Sequence, residues 1–490
     1  MKILHIYPNT RLSCDGFRII CALLRNEGHQ LQIVTIPKRP PATISLDELQ
    51  QLGEMSMGAE LVMMSVYSVH EYHAIAITEH LRKLRPDRLI IWGGPHCIGA
   101  PEKSLKYADG VCYSEGDNAV PRFVKLLEAG DNAYRQTPNM AFRTGDSIQI
   151  NPLIPLVEDL DSLPFSDYSF ENEWVLDKTL IPLTAEVFGK YSPKSLFKTP
   201  TIFILSSRGC PHHCSYCNNI RYLKMYGHIK IRRQSVARLM DELKYMLRCL
   251  PDTKYICFGD DDFFARPEDE IREIVEDYKV TIGLPCGMSM SANTYSEPKF
   301  KEVLKLDDAI VEMGVQTGSK RVLEEVFQRT LPLPKIKIII NELLPLLKNS
   351  HTRLLCNFIV DNPYETESDI LATYKFIAHL HERILVNMKA LSFFPGSSLY
   401  ERALKDHFIS EDDIYLSRDF SSRKIKYQQN YLMLLLLMWE SFSFSRRFPV
   451  WLIMLPATKP FVFMMKLVPL KLMVWMIKKI PVYLRKISKK

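Results

Sequence analysis

The sequence predicts an α/β protein built from two successive parallel-sheet units and a basic, apolar C-terminal region. Three observations carry this expectation. Short, near-continuous apolar runs alternate with segments of helical spacing over residues 1–130, and the same alternation resumes over 200–405. Strands apolar on both faces, separated by amphipathic helices, read as parallel sheets covered on both sides. The third observation is charge. Eleven Lys and Arg lie between Arg446 and Lys490, and no Asp or Glu follows Glu440. Without these eleven, the remaining 52 basic residues face 56 acidic ones, a balance of −4 against +7 for the whole chain.

The 490 residues are 47% hydrophobic and 24% charged, enough for several packed cores. With basicity confined to the tail, the body offers no general nucleic-acid surface, and no nucleic-acid partner is expected. MKILHIYP reads as a first strand and not as a signal peptide. The eleven cysteines are odd in number, and eight of them are scattered (Cys14, Cys21, Cys97, Cys112, Cys249, Cys257, Cys286, Cys356). This usage suits a reducing cytosol.

In the first unit, KILHIY, LQIVTI, LVMMSV, RLIIWGG and DGVCYSEG are the expected strands. HAIAITEHLRKLR and NAVPRFVKLLEAG are expected helices between them. A doubly wound sheet of this kind binds ligands beyond the carboxyl ends of its strands. The turns there are Ser65-Val66-Tyr67-Ser68, Gly93-Gly94-Pro95-His96 and Ser114-Glu115-Gly116-Asp117. The paired glycines either let a ligand approach the backbone or simply make a tight turn.

Residues 131–199 read as a connector. FRTGDSIQINP fits a hairpin turning at Gly145-Asp146, and EDLDSLPFSD, with Pro164, is expected to be extended and irregular. From 200 onward, TIFILSS, KYICFGD, the GLPCGMSMS region, AIVEMGVQ, RLLCNFIV and VNMKALSFF are six expected strands. SVARLMDELKYMLRC and EDEIREIVEDYKV are expected helices between them. Six β/α units make a partial barrel, with its chemistry at the carboxyl ends of the strands.

Directly after the first of these strands comes RGCPHHCSYCNN, with Cys210, Cys214 and Cys217 spaced C-x3-C-x2-C. Thiolates suit zinc and iron–sulfur clusters alike. A closed zinc site needs four ligands, and no second cysteine pair follows; His212 or His213 could supply a fourth only awkwardly beside Pro211. A redox pair would leave Cys210 idle. A 4Fe-4S cluster held by three cysteines leaves one iron open to a small ligand.

The motif, with Tyr216 before its last cysteine, resembles the signature of the radical S-adenosylmethionine (SAM) superfamily. Further blocks resemble its cobalamin-binding branch. GGPHCIGAPEKSL (93–105) and SEGDNAV (114–120) are similar to the last turns of the cobalamin domain, and EDLDSLPFSDYSF (158–170) to the interdomain connector. FGDDDFF (258–264), MGVQTGSKRVLEEVFQR (313–329), FIVDNPYETESDI (358–370) and FFPGSSLYERA (393–403) are similar to successive blocks of the barrel. The resemblance covers about residues 1–405. It implies a Rossmann-like cobalamin-binding domain at 1–130, a connector at 131–199, a partial (β/α)6 radical SAM barrel at 200–405 and a C-terminal region at 406–490.

The resemblance also implies cofactors and roles. Cys210, Cys214 and Cys217 would ligate the 4Fe-4S cluster, and Tyr216 would pack near the adenine of SAM. Asp260 and Asp261 at a strand end could accept hydrogen bonds from its ammonium or ribose hydroxyls, or could equally be a solvated turn or helix cap. Ser291, Asn293 and Gln316 could bind the ribose or methionine carboxylate, or be satisfied strand-end polar residues. Ser65, Tyr67, Gly93, Gly94, His96, Glu115 and Gly116 would border cobalamin.

Three departures stand out. Gln316 occupies a place where the family often has Glu. DNPYET replaces a more usual glycine-containing turn. RLSCDGFRII lacks the D-x-H-x-x-G histidine that would ligate cobalt, so cobalamin would bind with no protein nitrogen on the metal, or the domain would be a scaffold alone.

The expected function is therefore a radical SAM enzyme. It would generate a 5′-deoxyadenosyl radical with electrons from a reducing donor and use cobalamin to methylate an unactivated carbon. The alternatives are a non-methylating cyclisation or rearrangement and a non-catalytic tethered sensor. In the tail, YLMLLLLMWE (431–440) is too short to span a bilayer, and the window 448–465 is interrupted by Pro449, Pro456, Lys459 and Pro460. Broken apolar pieces with basic residues suit a membrane interface, and the alternative is packing on the barrel. The expectation is a cytoplasmic protein, peripheral at the membrane face, with a small-molecule or lipid-like substrate.

Overall fold

A computed structural model describes residues 1–130, 132–191, 199–228, 230–329, 332–411, 426–441, 454–469 and 472. The five expected N-terminal strands form as β1 (Lys2–Tyr7), β2 (Gln30–Thr35), β3 (Leu61–Ser65), β4 (Leu89–Gly93) and β5 (Gly110–Cys112). They pair in parallel in the order β5-β4-β3-β1-β2. Their side chains are buried on both faces, which accounts for the unbroken apolar runs. The order reverses between β1 and β3, so the neighbouring turns diverge and leave a crevice at the carboxyl end.

The segment read as a connector does more than connect. It supplies β6 (Met140–Thr144) and β7 (Ser147–Ile150), the expected hairpin, to one edge of this sheet, and β8 (Glu173–Asp177) and β9 (Thr179–Pro182) to the other. These edge strands are partly exposed and lack the apolar signal of the centre; β7 is exposed along its whole length. A buried ion pair holds β8 in place. Arg18, in the helix Asp15–Asn26, lies 2.9 Å from Glu173, and both side chains are 1% exposed.

The second sheet contains β10 (Thr201–Ile204), β13 (Tyr255–Phe258), β14 (Cys286–Met290), β15 (Ala309–Gln316), β16 (Arg353–Val360) and β17 (Leu385–Ala390). All pair in parallel and in chain order, leaving β10 and β17 as open edges. This is the six-unit partial barrel the sequence predicts. The short pair β11 (Ser207–Arg208) and β12 (Arg232–Arg233) forms an antiparallel clip beside the cysteine loop.

At the start of the C-terminal region, the apolar run that is too short to span a bilayer packs on the barrel. Within the helix Tyr431–Ser441, Leu432, Met433, Leu435, Leu436 and Leu437 are buried in the barrel core. That apolar run is explained by packing, because it covers the barrel beside the helix Glu367–Ala378 and β17. Among the described residues no helix is long and apolar enough to cross a membrane. Most of the basic tail, 442–453 and 473–490, lies outside the described residues.

Candidate active site

The carboxyl ends of the two sheets face each other across a cavity of about 370 Å³. One wall comes from the turns after β3, β4 and β5, where Ser65, Tyr67, Gly93, Gly94, Glu115 and Gly116 all line it. The other wall comes from the barrel and includes Arg208, Cys210 and Asp261. Gly94 has φ +91°, and a Cβ there would lie 2.9 Å from the backbone N and O of Val66. Its lack of a side chain is therefore required for the turns after β3 and β4 to abut. Tyr67 Oη lies 3.3 Å from Cys14 Sγ, closing the floor.

Buried ion pairs fix the two walls relative to each other. Arg208, two residues before Cys210, donates to Asp117 at 2.7 Å and to Glu115 at 3.1 Å. Arg232 reaches Glu115 at 2.6 Å. The Leu205 N–H donates to Asp15, whose carboxyl is pushed up to about 7, first by burial and then by nearby Glu242. These long-range pairs carry no sequence signal, so Arg208, Arg232 and Asp15 were not foreseen.

The cysteine loop sits between this cavity and a second one. Cys210 and Cys214 are buried and Cys217 half-buried. Burial pushes the Cys217 thiol up to about 11 and raises Cys210 well above the usual range, with the charge of Asp261 adding to both. Tyr216 packs edge-on against Phe327, with ring centres 5.0 Å apart. Among the described residues no three Cys, His, Asp or Glu side chains are arranged to hold a single metal ion. A four-iron cluster makes a different demand, because each thiolate binds its own iron.

The three aspartates after β13 take three directions. Asp260 turns inward, accepting from Arg266 (2.9 Å), Ser206 Oγ (2.7 Å) and the Ser207 N–H (2.9 Å). Both its oxygens are occupied, which corrects the expectation that it faces a ligand. Asp261 stands on the wall of the first cavity, its carboxyl pKa raised by the surrounding protein mass. Asp262, unforeseen, is buried, lies 3.1 Å from His212 Nε2 and accepts from Thr294 Oγ1 at 2.9 Å. Ser291 joins that network at 2.9 Å from His212, while Asn293 lines the second cavity. Gln316 ends β15 at φ +71°, where the register with β16 slips.

His96 is corrected as well. It is fully buried behind its turn, with Nδ1 3.2 Å from Ser68 Oγ and Nε2 3.3 Å from Glu71, and it does not line the cavity. The helix that starts at Pro95 turns its side chain into the core.

Comparison with known proteins matches this arrangement. The family model for the radical SAM superfamily matches residues 204–377, and that for the B12 binding domain matches residues 14–124. Together they cover more than half of the chain. The chain is a B12-domain radical SAM protein. It is 21% identical over 394 residues to the cytidylyl-2-hydroxyethylphosphonate methyltransferase of Streptomyces wedmorensis, covering 69% of this chain and 66% of that protein. It is 22% identical over 297 residues to the cobalamin-dependent radical SAM methyltransferase TokK of Streptomyces tokunonensis, covering 58% and 40%. The chain thus spans just under two thirds and two fifths of these relatives. The structure of the radical SAM methyltransferase TsrM from Kitasatospora setae superposes with a TM-score of 0.64 at 14% identity, over 83% of this chain and 76% of that one. That likeness shows a shared fold.

A radical SAM domain implies a 4Fe-4S cluster and SAM, and a B12 domain implies cobalamin. The residues present fit these groups. Cys210, Cys214 and Cys217 are three soft sulfur donors on one loop, two of them buried and one half-buried. The first cavity is walled by Gly16, Gly93, Gly94, Gly99, Gly116 and Gly209, so a large flat ligand could approach the backbone closely.

Proposed function

We propose that this chain is a cobalamin-dependent radical SAM methyltransferase in which Cys210, Cys214 and Cys217 hold the cluster. The observation that carries the reading is one cavity bordered by Cys210 and Asp261 on one side and by Ser65, Gly94 and Gly116 on the other. A group bound by the glycine turns and a group bound by the cysteine loop would share one chamber. When bound, the cluster and SAM supply a hydrogen-abstracting 5′-deoxyadenosyl radical, and cobalamin supplies a transferable methyl group.

The chain's own residues do the rest. Gly94 and Gly116 admit a flat ligand against the backbone. Arg208 and Arg232 lock the cysteine loop against the turn carrying Glu115 and Asp117, setting the distance between the two walls. Tyr67 and Trp92 help line the chamber and exclude water from it. Asp261 offers the chamber a carboxylate oriented by Asn219. Two of the similar proteins are named methyltransferases of small molecules or of the cobalamin-dependent radical class, which supports methylation over cyclisation or rearrangement.

The substrate proposed is a small molecule of apolar or lipid-like character, met at the cytoplasmic membrane face. Support comes from Phe463, Met464 and Leu467, which are exposed at and just after the helix Lys459–Lys466 within an acid-free tail. Flotation with vesicles rich in anionic lipid tests this. Binding that survives deletion of residues 454–490 would refute the assignment to the tail.

The test of the chemistry uses anaerobically purified, iron-reconstituted protein given hydroxocobalamin. Iron, sulfide and cobalt per chain are measured, then 5′-deoxyadenosine and S-adenosylhomocysteine formed from SAM under reducing conditions. Four irons, about one cobalt and both products are expected. The variant with all three cluster cysteines replaced by Ala is expected to lose iron and SAM cleavage together; persistent cleavage would sink the assignment. Bound cofactors with no SAM turnover would instead indicate a sensor.

A further inference from the structure

The interior of the barrel is not packed shut. Along its strands, side chains that join the helix-covered core alternate with side chains that face inward. Among the inward ones, Phe203, Cys257, Ser289, Glu312, Asn357 and Asn387 are half-buried, whereas their neighbours on the outer face are buried. One layer nearer the amino-terminal end, Tyr255, Ile310 and Leu355 pack with Leu385 into an apolar floor.

A row of polar side chains stands on this floor. Asn387 Nδ2 donates to Asn357 Oδ1 at 2.7 Å, and Asn357 Nδ2 donates to Glu312 Oε2 at 3.0 Å. Both bonds run toward the carboxylate, so the two amides orient Glu312 and spend their own donors on it. Among the described residues, Glu312 Oε1 and Asn387 Oδ1 accept no hydrogen bond, and no cation pairs with Glu312. Arg11 lies over the Phe203 ring at 4.5 Å, and Lys389 is exposed one layer above Asn387; neither forms an ion pair with it. Cys257 stands between these charges. Its thiol is pushed up to about 12, first by burial and then by Glu312, with Arg11 opposing.

A neutral amide at 312 would accept the same bond from Asn357. The carboxylate adds a charge beside an apolar floor, and no group of the described chain neutralises it. What the row presents to the interior is one oriented anion and one carbonyl oxygen, both acceptors. Their complement is a cationic group carrying several N–H donors. Four residues of strand separate Glu312 from Gln316 at the carboxyl end, a rise of about 13 Å. A ligand anchored on Glu312 must be elongated to reach the cysteine loop.

We infer that Glu312, oriented by Asn357 and Asn387, is the specificity-determining receptor for a protonated amine on the acceptor substrate, which enters the barrel head first with its reacting carbon toward the cysteine loop. The inference deepens the methyltransferase reading proposed above and rests on it. An amine head on a longer apolar body agrees with the substrate character proposed there.

The test uses full-length wild-type, Glu312→Gln and Glu312→Asp chains, each reconstituted with iron and assayed for iron content and SAM cleavage. The probes are hexylamine, hexanol and hexanoate, matched in length and different in head group. Calorimetry in the presence of SAM measures binding. Protection of Cys257 from N-ethylmaleimide, read by peptide mass spectrometry with and without hexylamine, reports its place. Hexylamine is expected to bind at least about 10-fold tighter than hexanol or hexanoate and to protect Cys257. Glu312→Gln is expected to weaken hexylamine by about 10- to 100-fold and leave hexanol unchanged, and Glu312→Asp to recover part of the loss. A purely structural role would move amine and alcohol alike. Equal binding of amine and alcohol, hexylamine affinity that survives Glu312→Gln, or bound hexylamine that leaves Cys257 unprotected overturns the receptor. Glu312→Gln is nearly isosteric, and Glu312→Asp keeps the test valid should it fold poorly. A wild-type chain that holds iron and cleaves SAM but binds no hexylamine loses the receptor alone; one that holds no iron and cleaves no SAM loses the reading beneath it as well.

Discussion

Asp361 closes β16 where a glycine-containing turn is more usual, and its φ of +57° shows the strain of that replacement. The compensation is a clamp. Its carboxylate accepts from three successive backbone N–H groups, those of Lys426 (2.8 Å), Tyr427 (2.9 Å) and Gln428 (2.7 Å). Hydrogen bonds to a charged acceptor contribute roughly 1.5–3 kcal/mol each. Three that share one carboxylate do not add fully, so the clamp is worth about 3–6 kcal/mol locally. The left-handed conformation returns about 1–2 kcal/mol of that. Asp361→Gly removes both terms and should leave residues 426–428 looser by about 2–4 kcal/mol. At 1.4 kcal/mol per factor of ten, their amide exchange should quicken by roughly 30- to 1000-fold. Hydrogen exchange read by mass spectrometry over 426–430 measures it directly. Asp361→Ala, which keeps the strain and loses the bonds, should melt lower than Asp361→Gly. Unchanged exchange in Asp361→Gly would refute the clamp. Its relevance to the site is that Tyr427 packs on Phe393, within the same apolar cluster that receives Tyr216.

Two further outcomes follow from the cavity. Gly94→Ala combines a positive φ with a Cβ at 2.9 Å from backbone and should cost about 2–5 kcal/mol, whereas Gly93→Ala meets only Cys112 Cβ at 3.7 Å. Cobalamin retained after gel filtration should fall in the first variant and not in the second; equal behaviour would refute the cradle. Asp15 has a folded pKa of about 7, above its unfolded value, so its protonated form favours the fold. Its contribution is fully present below about pH 4 and is lost as pH rises to about 7, by at most about 4 kcal/mol. Asp15→Asn should flatten that slope and stabilise the protein at pH 8, as read by urea melts at pH 5 and pH 8. A variant with the wild-type slope would show that Asp15 titrates normally.

Local pattern decided much of this protein. Every strand of the two parallel sheets predicted from an apolar run is present, because a strand buried on both faces has no polar position to disguise it. The three cysteines lie within eight residues, so their spacing alone places them on one loop after β10. The turns at Ser65, Gly93 and Glu115 could be placed because strand ends on one sheet edge share one crevice. What the sequence could not decide was direction and partnership. The residues of GDDD are chemically alike, and only the packing of Arg266, Asn219 and His212 sends Asp260, Asp261 and Asp262 three different ways. His96 sits in a plausible turn, but a helix starting at Pro95 rotates it into the core. The apolar run at 431 reads alike for a membrane surface or for an open barrel flank until the barrel core is seen to take it in. Arg208 and Asp361 owe their roles to groups that are distant in sequence. Side-chain periodicity records which face of an element is buried; it does not record which charge meets which across the fold, and that was settled only when the chain closed.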